Sequence, residues 1–160
     1  MLALDTALSV EISIRKQLEC MIKSDVNSEI ADILHYLIKL NSELELILAD
    51  AKKVDPNTSS YPNVDIAPLV GNDEDWRRYN ELVEKVGTNY NSLVILWSLE
   101  AMIEKSAQFY QQASQNSAYS STKMFLSSLY QVKTMKRRKI SALSRIVNNN
   151  IWSVIGFSPF

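Results

Sequence analysis

Apolar residues recur at helical spacing in four long stretches of the chain. In residues 4–22 the positions Ala7, Val10, Ile14, Leu18 and Met21 return every three or four residues, on one face of a helix. A polar run at 24–28 supplies a turn and an N-cap. A second stripe then passes through Ile30, Ile33, Leu37, Leu44 and Leu48 to about residue 53. The third, within residues 91–115, uses Leu96, Leu99, Ile103, Ala107 and Tyr110; the fourth, within 122–147, uses Phe125, Leu129, Val132, Ile140 and Leu143. Short polar joints inside each pair predict two antiparallel hairpins. Ile38 and Leu46 lie off the second stripe, so that helix is expected to show a further face to the crossover or to another subunit.

Between residues 54 and 89 the period breaks at Pro56, Pro62, Pro68, Gly71 and Gly87. Inside this connection DEDWRRYNELVEKV reads as a short helix. Asp73, Glu74 and Asp75 sit at its positive end, and Trp76, Tyr79 and Leu82 anchor it. A crossover of this length frees the third helix from the direction a tight turn would impose. At the far end, Asn148, Asn149 and Asn150 are expected to stop the fourth helix. The apolar tail Ile151, Trp152, Val154, Ile155, Phe157 and Phe160 is expected to dock on its own subunit or a neighbour's. Residues 1–160 thus form one all-α domain: a four-helix bundle over 4–147, a crossover at 54–89 and a tail at 148–160.

Composition agrees with helices, because 3 Gly and 4 Pro leave little material for a turn-rich β fold. Charge is unevenly spread: residues 111–160 carry +7 and no acid, leaving −8 for the first 110. The single cysteine, Cys20, has no internal disulfide partner and is expected to pack as a small apolar group. No apolar run approaches the roughly 20 residues that span a bilayer, and the N-terminal residues lack a leader pattern, which points to a cytoplasmic protein.

The hairpins echo each other. SLEAMIEKSAQFYQ at 98–111 repeats SVEISIRKQLECMI at 9–22, with Glu100 on Glu11, Ile103 on Ile14 and Lys105 on Lys16. Two similar hairpins, a long crossover and E-K-S-A-Q-F-Y ending at Phe109 and Tyr110 resemble the ferritin-like superfamily, and within it the rubrerythrin-like proteins. The resemblance implies a bundle centre with a di-iron site, built from one Glu on each of two helices and a Glu-x-x-His pair on each of the others. Aligned on the Phe-Tyr pair, the repeat, Leu37 and Leu129, the six ligand positions fall on Ile14, Asn41, Leu44, Ile103, Lys133 and Lys136. None keeps the family's ligand. A slip of one residue offers Glu104 but pairs it with Arg15, and the one histidine, His35, forms no Glu-x-x-His. No metal or cofactor is therefore expected.

Three readings follow. The first is a non-catalytic, metal-free bundle acting through its surfaces, as a homo-oligomer with a dimer as the simplest form. The second is an iron-binding oxidoreductase with an altered site made from Glu11, Glu100, Glu104 and Asp32 or His35. The third is a nucleic-acid-binding protein using a cationic patch of Lys133, Lys136, Arg137, Arg138, Lys139 and Arg145, which could equally meet an anionic protein. Lys136, on the apolar stripe of the fourth helix, is expected either to reach solvent along its stem or to pair with Glu11 or Glu100.

Overall fold

The computed structural model describes residues 2–24, 26–85, 89–154 and 156. Six helices carry most of them: α1 (Leu2–Lys23), α2 (Ser28–Ala51), α3 (Ile66–Val70), α4 (Asp73–Glu84), α5 (Tyr90–Gln115) and α6 (Ser120–Val154). Three begin on an asparagine whose Oδ1 accepts a backbone N–H. Asn27 takes that of Ile30 at 3.0 Å, Asn72 that of Asp75 at 2.7 Å, and Asn89 that of Ser92 at 3.2 Å.

α1 and α2 form one hairpin; α5 and α6 form the other and pack along most of their length. The heads of α2 and α5 lie at the same end, where Asn27 Nδ2 donates to Ser92 Oγ at 3.2 Å. The helix order is therefore up, down, down, up. α3 and α4 climb through the crossover and touch both α2 and α6, covering the groove between them.

α4 is held by aromatic contacts. Trp76 is buried and donates from Nε1 to the Val70 carbonyl at 2.9 Å, its ring edge-on to Tyr36 at 5.7 Å. Tyr36 donates to Asp75 at 3.0 Å. The turn between α3 and α4 needs Gly71, which has φ 98° and faces the Tyr36 hydroxyl and Trp76 Nε1 so closely that a Cβ would collide with both. Gly71→Ala is expected to cost about 1–3 kcal/mol in urea denaturation. A variant as stable as the parent would show that the turn relaxes freely.

The core has two apolar clusters. One, toward the heads of α2 and α5, contains Ile14, Leu18, Ile33, Leu37, Leu96, Leu99, Ile103, Ile140 and Leu143. The other, toward their feet, contains Leu4, Leu44, Leu48, Tyr110, Phe125 and Leu129. Buried polar side chains lie between them.

Two expectations are corrected, on the end of α6 and on Cys20. Asn148, Asn149 and Asn150 do not stop α6, which continues to Val154. Trp152 Nε1 donates to Asn148 Oδ1 at 3.1 Å, and Ile151 packs into the upper cluster, so packing overrides the poor helix propensity of asparagine. Of the tail, Ile151 docks on its own chain and Val154 is exposed; Ile155, Phe157 and Phe160 lie outside the described residues. Cys20 is exposed, because two residues beyond Leu18 the helix has turned it away from the stripe. Ile38 is partly buried against the first of these clusters, and Leu46 is exposed.

Candidate functional site

The polar layer is centred on Glu11, four residues after Ala7 and three before Ile14, and hence on the inner face of α1. Its carboxylate is 0% exposed. Oε2 accepts from Lys133 Nζ at 2.6 Å across the bundle, and Oε1 accepts from the Tyr110 hydroxyl at 2.9 Å. Burial, then the Glu11 charge and hydrogen bond, hold the Tyr110 phenol well above the ordinary tyrosine range, so it stays a donor. Asn41 Nδ2 donates to the Glu11 carbonyl at 2.8 Å and to Glu45 at 3.3 Å. Glu45 in turn meets Arg15 Nε at 3.0 Å, so the buried layer runs out to an ion pair at the α1–α2 edge.

Lys136 lies one turn beyond Lys133 and is equally interior, 3% exposed. Among the described residues its amine has no hydrogen bond or ion pair. Burial first, then the Lys133 cation, bring it down to about 7, while the charges of Glu11 and Glu43 act the other way. Lys133, Lys136 and Asn41 line a void of about 10 Å³ together with Ile14, Leu18, Leu37, Met102 and Ile103. That is room for about one water molecule.

Five of the six positions picked out by the alignment, namely Ile14, Asn41, Ile103, Lys133 and Lys136, line this one void. Leu44 does not and belongs to the lower cluster. The side chains present do not fit a pair of metal ions. The layer offers one carboxylate, already bonded by an ammonium and a phenol, beside a second amine, and a dication would face these cations in a low-dielectric interior. Among the described residues no three His, Cys, Asp or Glu side chains come together as a metal site.

The alternative ligands are scattered. Asp32, His35 and Glu104 are exposed, and Glu100 accepts from Ser144 Oγ at 2.6 Å. No protein-family model, curated protein or solved structure matches this chain.

The cationic patch is corrected as well. Lys133 and Lys136 are core residues, and Lys139 meets Asp73 at 3.2 Å. Arg137, Arg138 and Arg145 remain, without an ion pair among the described residues. Lys136 makes neither of the expected pairs, because Lys133 takes Glu11. The signal for this was present: Leu129, Lys133, Lys136, Ile140, Leu143 and Val147 follow one another at spacings of four and three, the seam of a packed helix. Charge had placed Lys133 with its basic neighbours, against what its register says. Tyr110 and Asn41 were legible as inward residues but not as hydrogen-bond donors to Glu11, a bond that depends on the height of α1 relative to α2 and α5.

Proposed function

We propose that this chain is a ferritin-like bundle of the rubrerythrin type in which a salt-bridged polar layer stands where the dinuclear centre would be. It serves as a non-catalytic assembly and binding subunit. The observation that carries the reading is that Lys133 and Lys136 stand at two positions the family gives to metal ligands, with Lys133 held 2.6 Å from the buried Glu11 carboxylate. The helix order, the long crossover and the gathering of the aligned positions round one void support the kinship. An ammonium that fills the volume and satisfies the remaining carboxylate makes a bundle that needs no metal to fold.

Such a protein acts through its surfaces. On α5, Tyr90, Val94 and Trp97 are 62%, 55% and 51% exposed and follow at i, i+4 and i+7, a stripe on one side of the helix. An exposed apolar stripe of this kind suits a second copy of the chain. No described helix is long and apolar enough to cross a membrane.

Two measurements on the purified full chain test this. After anaerobic incubation with ferrous iron and desalting, no iron above background is expected, and about two irons per chain would overturn the reading. Light scattering is expected to give a mass above 18.2 kDa that Trp97→Glu returns to the monomer value. A monomer before and after the substitution would remove the assembly role.

A further inference from the structure

We infer that Lys136 is an imine-forming amine that captures a small aldehyde or ketone entering from the groove between α1 and α5. The amine is interior and, among the described residues, has no carboxylate bond, since its neighbour Lys133 holds Glu11. The charged groups around it are Lys133 on α6, Glu11 on α1 and Glu43 on α2. A lysine desolvated beside a second cation is held in its neutral, nucleophilic form, the arrangement by which proteins activate amines toward carbonyl compounds. Exposed lysines stay almost wholly protonated near neutral pH.

Access comes from one side. A groove of about 580 Å³ runs along α1 and α5, lined among others by Val10, Ile14, Met102, Lys105 and Phe109. Ile14 and Met102 also line the void at Lys136, so these two side chains are all that the groove and the void share as a wall. Methionine is unbranched and turns easily, which makes Met102 the movable part of that wall. The void of about 10 Å³ holds no more than about one water molecule, so even an aldehyde of two or three heavy atoms enters only when Met102 swings out.

The chemistry balances without an oxidant or reductant. The Lys136 nitrogen lone pair forms a bond to the carbonyl carbon while the carbonyl oxygen takes up a proton. The carbinolamine then loses its hydroxyl as water and leaves a C=N bond. One amine proton moves to the oxygen at addition; Lys133, with N–H groups beyond the one given to Glu11, lends a proton to the departing hydroxyl and recovers the second amine proton from the iminium nitrogen, so it ends as an ammonium. A neutral imine also preserves the balance of one Glu11 carboxylate against one Lys133 ammonium. A carboxylated Lys136 would leave a buried negative charge unpaired. The capture is stoichiometric and independent of the assembly role proposed above.

The test incubates the intact chain briefly with acetaldehyde at pH 7, reduces it with borohydride, which also traps neutral imines, and counts adducts site by site by peptide mass spectrometry. Lys136 is expected to be modified about tenfold faster than the exposed Lys16, Lys39 and Lys123. Met102→Ala is expected to speed Lys136 alone, and Met102→Trp to slow it, with the exposed lysines unchanged. Modification confined to the exposed lysines and the N-terminal amine, in the parent and in Met102→Ala alike, would overturn the assignment. So would equal rates at all sites.

Discussion

Glu11→Leu is expected to lower the unfolding free energy by about 3–5 kcal/mol, because it leaves the Lys133 ammonium buried without its partner. The Tyr110 hydroxyl loses its acceptor in the same change, which adds to the cost. Glu11→Leu combined with Lys133→Met is expected to recover most of that loss, since two apolar side chains of similar volume then replace the pair and neither of its charges is left to desolvate. Urea denaturation of the two single variants and the double variant closes the cycle. Additive losses, with the double variant the least stable of all, would mean that the two residues do not act as a pair in the core.

Lys136→Met is expected to stabilise the protein by about 2–4 kcal/mol at pH 7 and to flatten its pH dependence. The amine titrates near 7 when folded, well below the ordinary lysine range that the unfolded chain shows. Between these two values the unfolded chain binds one proton more, so stability rises with pH, at a limiting slope of about 1.4 kcal/mol per pH unit. Below pH 7 both states are protonated and the whole penalty of a buried ammonium is present, with no further slope from this group. Above the ordinary tyrosine range Tyr110 works in the opposite sense. Its proton is held in the folded state and lost from the unfolded one, so the rise is best read between about pH 7 and 9.5. A parent protein of constant stability over that window, or a Lys136→Met variant with an unchanged slope, would place the amine in contact with solvent.

Much of the architecture was legible because it rests on period. The stripes through Leu18, Leu37, Leu99 and Ile140 mark four inward faces, and Pro56, Pro62 and Pro68 mark the crossover between the hairpins. Five of the six aligned positions also share one void, each on the inward face of its helix. Other features depend on quantities that spacing does not hold. The pairing of Glu11 with Lys133, in place of Lys136, follows from the relative height of α1 and α6. The continuation of α6 through three asparagines follows from the seat that Ile151 finds among apolar neighbours. The Cys20 thiol was misplaced for a simpler reason: its small size suggested burial, while its register turned it outward.

The polar layer also decides which hairpins can meet. Because residues 98–111 echo residues 9–22, an α5–α6 hairpin carries much the same apolar face as its counterpart and could dock on a second α5–α6 hairpin. Such a swapped pair would bury two copies of Lys133 and Lys136 and no Glu11, whose place in the echo belongs to Glu100, already bonded to Ser144. Sliding one hairpin by a turn of about 5.4 Å would strand the same ammonium against apolar neighbours. A single buried carboxylate therefore acts as a key for assembly order, penalising both the wrong partner and the wrong height in a chain whose two halves share a common apolar pattern.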